Sequence, residues 1–134
     1  MPTIPWTAPT TPPSNAPAYV MASRFEVRSL TDVPRFLLRS FAAWRQLATA
    51  PGAYGASLVA RPLRRTFYTL SAWQDRDALY AYARAEPHGT IMKELRSTTR
   101  DSAFTYWETT TDALPVQWDE AWRRLAEDAT PSGR

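Results

Sequence analysis

His88 is the single histidine of this 134-residue chain, and its ordinary pKa suits proton transfer near neutrality. It follows Pro87 at a break in a helical run, where a ring can reach into a cleft. Capping the next turn at the surface, or ligating iron, are its other uses. Arg24 and Glu26 share one face in mid-strand. Charges there must be paired, or must contact ligand or solvent. Arg24 is therefore a candidate for holding a substrate oxyanion or a haem propionate; an ion pair with Glu26 or Glu108 is the alternative. Tyr68, Tyr106, Trp73 and Trp107 could line an aromatic pocket between sheet and helices, or pack a core between protomers. The assignment is His88, Arg24 and Tyr68 as catalytic. Trp73, Tyr82, Met92, Tyr106 and Trp107 are assigned as substrate-binding, with no metal ligands.

Other chemistries find no residues. Cysteine is absent, which excludes disulfides, thiolate catalysis and Cys-ligated metal sites. Only 4 glycines occur and none forms a phosphate loop. The formal charge of +3 is modest, and no nucleic-acid motif is present. Arg61, Arg64 and Arg65 read as a solvated hairpin tip beside Pro62. No apolar run approaches the ~20 residues of a membrane span, and no signal peptide is visible. The expectation is a cytoplasmic protein with no nucleic-acid or membrane partner.

Residues 1–17 carry 6 of the 12 prolines. Proline fixes φ and removes donors, so this segment reads as an extended, flexible Pro/Thr-rich tail. Residues 18–112 read as one domain. Tyr19–Arg28 alternates as a strand, with Tyr19, Met21, Phe25 and Val27 on one face. Thr31-Asp32-Val33-Pro34 opens a helix with apolar positions Val33, Phe36, Leu37, Phe41, Trp44 and Leu47. Tyr54–Arg61 and Thr66–Trp73 form a hairpin, and Asp75 caps the next helix. Pro87 breaks that helix, and a turn resumes with Ile91, Met92 and Leu95 inward. Ser102–Thr109 is the fourth strand. Residues 113–134 read as an amphipathic helix beginning at Pro115, with Trp118, Trp122 and Leu125 on one side, and a tail.

The order β-α-β-β-α-β plus a helix predicts a ferredoxin-like α+β domain. Two helices cover one sheet face, yet the strands offer apolar side chains on both. That patterning predicts a homodimer burying the second face.

Several stretches resemble the dimeric α+β barrel superfamily, which includes the antibiotic-biosynthesis monooxygenases. They are SRFEVRS, APGAYGASL, RRTFYTLSAWQD, the Pro87-His88 step and FTYWE. Within it, the chain looks closest to DUF3291-type proteins and more distantly to spheroidene monooxygenase. The resemblance implies a dimeric barrel and an oxygenase-like enzyme of specialised metabolism, without a nucleotide cofactor. Its substrate would be a small aromatic or polyketide-like molecule. The spheroidene monooxygenase branch implies haem instead, and a non-catalytic dimeric ligand-binding module is the third reading. The haem-degrading branch uses an asparagine, a tryptophan and an iron-ligating histidine; Arg24, Tyr82 and Met92 stand at the matching positions.

Overall fold

Alternating apolar residues need two covered faces, and the computed structural model shows how this chain covers them. It describes residues 3–9, 11–86, 88–128 and 130–131, so the expected helix breaker Pro87 lies outside the described residues. The strands are β1 (Thr3–Thr7), β2 (Pro17–Val27), β3 (Ala53–Arg61), β4 (Thr66–Trp73), β5 (Thr99–Thr110) and β6 (Thr130–Pro131). The helices are α1 (Val33–Leu47), α2 (Arg76–Arg84), α3 (His88–Leu95) and α4 (Trp118–Asp128). One antiparallel sheet runs β1-β3-β4-β2-β5-β6. Its inner four strands, β3-β4-β2-β5, have the ferredoxin-like order that the sequence predicts.

Local chemistry sets the element ends. Asp75 accepts from the Ala78 amide at 2.8 Å and opens α2. Pro34 occupies the first turn of α1, where its missing N–H costs nothing. Gly52, at φ +78°, turns the chain from α1 into β3, and its carbonyl accepts from the Gln74 amide at 2.7 Å.

Register then decides the faces. Phe25 opposes Phe67, Ser23 opposes Thr69, and Tyr19 opposes Trp73. These odd-numbered positions of β2 and β4 meet α1, α2 and α3. Phe25, Phe36, Phe67, Ile91 and Leu95 form one buried cluster there; Leu47, Trp73 and Leu79 form another. The even-numbered positions Ala18, Val20, Ala22, Leu70 and Ala72 face the other way.

That second face corrects the argument for a partner protomer. The chain's own α4 packs on it, with Trp118, Leu125, Leu114 and Trp6 closing the cluster around Trp107, Val116 and Ala121. Apolar patterning on this face is therefore satisfied within the protomer and does not by itself call for a second copy. Arg61 is likewise not a solvated loop cation. Its guanidinium lies 5.5 Å from the Tyr68 ring centroid and 5.3 Å from that of Trp122.

The tail expectation is corrected too. Thr3–Thr7 is an edge strand paired with β3, not a loose polyproline segment. Pro5 is tolerated because a missing donor matters least at a sheet edge. Ser57 Oγ donates to the Ile4 carbonyl at 2.7 Å and accepts from Trp118 Nε1 at 3.0 Å, tying β1, β3 and α4 together. Trp6 packs onto Gly55, where an added Cβ would collide with the indole. The Thr111 hydroxyl, meanwhile, donates to the Pro13 carbonyl at 2.6 Å. Trp6→Ala should cost about 2 kcal/mol, less than the roughly 3–5 kcal/mol of a fully buried tryptophan. Chemical denaturation checks this, and a loss under about 0.5 kcal/mol would restore the loose-tail reading.

Candidate active-site cavity

Between the sheet and α1–α3 lies a cavity of about 300 Å³. Its floor is Met21, Ser23 and Phe25 of β2, Thr69 and Ser71 of β4, Ala56 and Leu58 of β3, and Phe104 and Tyr106 of β5. Phe36, Ser40, Ala43 and Trp44 of α1 form one wall, and Tyr80, Tyr82, His88, Ile91 and Met92 of α2 and α3 form the roof. Tyr80 and Tyr106 line it yet are 41% and 45% exposed, so it reaches the surface between α2 and β5. Tyr19 stacks on Tyr106 at 6.0 Å beside this mouth. Burial, then the neighbouring Tyr80 and Tyr19, pushes the Tyr106 phenol up, so it stays a proton donor at neutral pH.

His88 owes its place to the helix break. Ala85 is extended, at ψ 151°, which ends α2, and α3 begins at His88. Gln46 of α1 holds the joint. Its Oε1 accepts from the His88 amide at 2.8 Å; its Nε2 donates to the Tyr82 carbonyl at 3.2 Å and towards the Ala85 carbonyl at 3.4 Å. One amide thus satisfies the first donor of α3 and the last acceptors of α2. Nothing in the sequence pattern singles out Gln46, because its role exists only once α1 docks. Gln46→Ala should cost about 1–3 kcal/mol through the groups left unpaired. Amide exchange at His88 should accelerate in that variant. Unchanged exchange would show that Gln46 does not hold the joint.

The imidazole is half-buried. Its Nδ1 lies 3.1 Å from the Ala83 carbonyl. A carbonyl only accepts, so Nδ1 carries the proton, and the Nε2 lone pair of the neutral ring has no hydrogen-bond partner among the described residues. Burial lowers the His88 pKa, while the Ala83 hydrogen bond opposes that shift. The Tyr82 ring packs 4.8 Å from His88 and 5.0 Å from Trp73. Tyr82 Oη donates to the Ala43 carbonyl at 2.6 Å, and burial raises its pKa far above the usual phenol range. Tyr82 is therefore a neutral structural strut and a cavity wall, not a base.

His88, Tyr82, Met92 and Tyr106 come together here. Arg24, Tyr68, Trp73 and Trp107 do not line the cavity, so it does not bring them to His88 as the sequence assignment expects. Arg24 sits on the opposite sheet face, paired with Asp101 at 3.1 Å. Tyr68 opposes Arg24 on that same face and meets Trp118 and Trp122. Trp107 lies under Arg124, whose guanidinium is 4.4 Å from its ring. Trp73 faces the helices but is fully buried behind Tyr82. Most of the other lining residues were not among the candidates, the polar Ser23, Ser40, Ser57, Thr69, Ser71 and Tyr80 included. Strict alternation already places Ser23 between Met21 and Phe25, a lone hydroxyl on an apolar face.

The residues do not fit haem. Among the described residues that line the cavity there is no lysine or arginine to pair two propionates, and Arg24 is across the sheet. Among the described residues no cluster of three or more acidic or histidine side chains could hold a metal ion. No helix among them is long and apolar enough to cross a membrane.

No family model matches the sequence, and no curated protein matches it. Solved structures do match its fold. One is a mutant form of SnoaB, a cofactor-independent oxygenase from Streptomyces nogalater. It is 18% identical with a TM-score of 0.59, covering 73% of this chain and 97% of that one. A protein from Nitrosomonas europaea, named for the antibiotic biosynthesis monooxygenases, is 13% identical with a TM-score of 0.64. That match covers 75% of this chain and 94% of the other. A conserved protein from Methanosarcina mazei is 13% identical with a TM-score of 0.61, over 67% and 90%. At such identities the likeness carries the fold and leaves chemistry to the site. The chain has the ferredoxin-like α+β fold seen in structures named as antibiotic biosynthesis monooxygenases.

Proposed function

We propose that the protein is a cofactor-independent, oxygenase-like enzyme acting on an electron-rich fused-ring aromatic or polyketide-like molecule. The observation that carries this reading is the cavity itself. It is mostly apolar and aromatic-walled, and its one general-base candidate is a neutral histidine with a fixed tautomer. A volume near 300 Å³ is at the small end of ligand pockets, roughly 300–1,000 Å³. That favours a compact ring system, with any extension leaving past Tyr80 and Tyr106. SnoaB, of like fold, is named a cofactor-independent oxygenase, which supports the reading.

The chemistry balances without a bound redox group. His88 Nε2 removes a proton from a ring CH₂ acidified by its neighbouring rings or carbonyl. The carbanion reduces O₂ and forms a C–O bond, and the peroxide regains a proton. Loss of the second C–H proton then breaks O–O and expels water. The sum is CH₂ plus O₂ giving C=O plus H₂O, with the carbon losing four electrons and O₂ gaining them. Arg24 cannot stabilise the developing charge from across the sheet, so that role falls to donors inside the cavity.

The finer kinship with DUF3291-type proteins remains part of this proposal; the spheroidene monooxygenase branch loses ground because haem does not fit. Oxygen-electrode measurements with fused-ring phenols and ring ketones test the function. Uptake that persists after chelator treatment supports it. Tight binding without uptake would make the protein a ligand-binding module instead.

A further inference from the structure

Three serine and threonine hydroxyls on the cavity floor belong to no step above. Ser23 and Thr69 face each other across β2 and β4 and share one short hydrogen bond. Ser71, two residues along β4, accepts from Trp73 Nε1 at 2.9 Å. Ser23 is fully buried and Ser71 is 5% exposed. Each hydroxyl owns one proton and two lone pairs. One proton of the Ser23–Thr69 pair is used within the pair and the other is not. Trp73 occupies a lone pair of Ser71, so the Ser71 proton has no acceptor among the described residues. Two O–H donors therefore face the cavity from its mostly apolar floor, apart from the hydroxyls of Ser40, Tyr80 and Tyr106 that also line it. Buried donors in such surroundings are unfavourable until an acceptor arrives.

We propose that Ser71 and the Ser23–Thr69 pair form an oxygen-recognition strip that donates hydrogen bonds to the carbonyl oxygen of an enolisable fused-ring ketone. This rests on the cavity being the aromatic-substrate site, and it narrows that substrate class. A ligand without the oxygen leaves both donors unmet and is rejected. The Trp73–Ser71–ligand chain also polarises, each bond strengthening the next. When a proton leaves the carbon beside the carbonyl, negative charge moves onto that oxygen, where fixed donors already point.

The test is binding, separate from turnover. The probes are 1-tetralone, which has the carbonyl, and tetralin, which lacks it, titrated calorimetrically into the full chain. Wild type should bind the ketone about 10-fold more tightly, as expected for donors that would otherwise stay unmet. Thr69→Val and Ser71→Ala should each narrow that ratio by roughly 3–10-fold while leaving tetralin affinity unchanged. Thr69→Val keeps volume and leaves Trp73 its partner, so it carries the test if Ser71→Ala misfolds. Equal wild-type affinities, an unchanged ratio in the variants, or binding of neither probe would each overturn the strip. Ketone preference without oxygen uptake would keep the strip and sink the oxygenase reading. Uptake without preference would do the reverse.

Discussion

Replacing His88 with alanine should lower oxygen uptake by roughly 10²–10⁴-fold, the usual contribution of a positioned general base. The fold should survive. Gln46 binds the His88 backbone amide, not its ring, so the clamp on α3 remains in the variant. What is lost is the Nδ1–Ala83 hydrogen bond and the packing on Tyr82, together about 1 kcal/mol. His88→Asn refines the experiment. Its side-chain amide can still donate towards Ala83, but it cannot act as a base. Both variants should therefore be slow, with His88→Asn the more stable. An alanine variant that folds and turns over at the wild-type rate would remove His88 from the mechanism.

The pH profile should carry the same signature. Burial lowers the His88 pKa below its ordinary 6.5, so the active neutral form dominates at pH 7. Uptake should fall on the acid side, with a midpoint below 6.5, and His88→Ala should lose that limb. Stability follows with the same sign. Between the lowered folded-state pKa and 6.5 the unfolded chain binds more protons, so stability rises with pH across that window and is flat above it. The stabilisation from this group is fully present above 6.5 and is lost as pH falls through the window. Denaturation midpoints at several pH values should show this acid-side slope in wild type and a smaller one in His88→Ala.

The four-strand, ferredoxin-like order was legible because Thr66–Trp73 is a β-rich run and, in the sequence, Asp75 and Pro87 punctuate the helical stretches. Periodicity did not show which face the helices would take. Tyr68 and Trp73 differ in parity and must point opposite ways, yet both faces of β4 are apolar, so alternation alone could not say which one lines a pocket. The register of β2 against β4 decides it, and register is a tertiary fact. The amphipathic C-terminal helix was legible as Trp118, Trp122 and Leu125; its docking on the second face was not. The proline rule misled at the N-terminus, since an edge strand forgives Pro5 where an inner strand would not. His88 could be found from residue type and the break. Gln46 could not, because its partners lie about 36–42 residues away in the chain and meet only when α1 packs on α2 and α3.

Trp73→Ala should be among the most damaging single changes, at about 3–5 kcal/mol. Trp73 is fully buried, so its indole leaves a hole that backbone strands cannot close. The hole would lie behind Tyr82, whose ring rests on the indole at 5.0 Å, and beside the existing cavity. Tyr82 would lose its backing and, with it, the wall against which His88 packs. Ser71 would lose its donor at the same time. A chain of this size loses roughly 3–5 °C of melting temperature per kcal/mol, so a fall of about 10–20 °C is expected. Trp73→Phe is the milder change. It keeps one aromatic ring in place but loses Nε1 and part of the indole volume, so about 1–2 kcal/mol should go. Its double-mutant cycle with Ser71→Ala should then show a coupling near ~1 kcal/mol, because each variant removes the same bond. Added indole should partly restore the melting temperature of Trp73→Ala by binding the vacated space in the folded state alone. A loss under about 1 kcal/mol in Trp73→Ala, with no response to indole, would mean that the indole does not support the Tyr82–His88 wall.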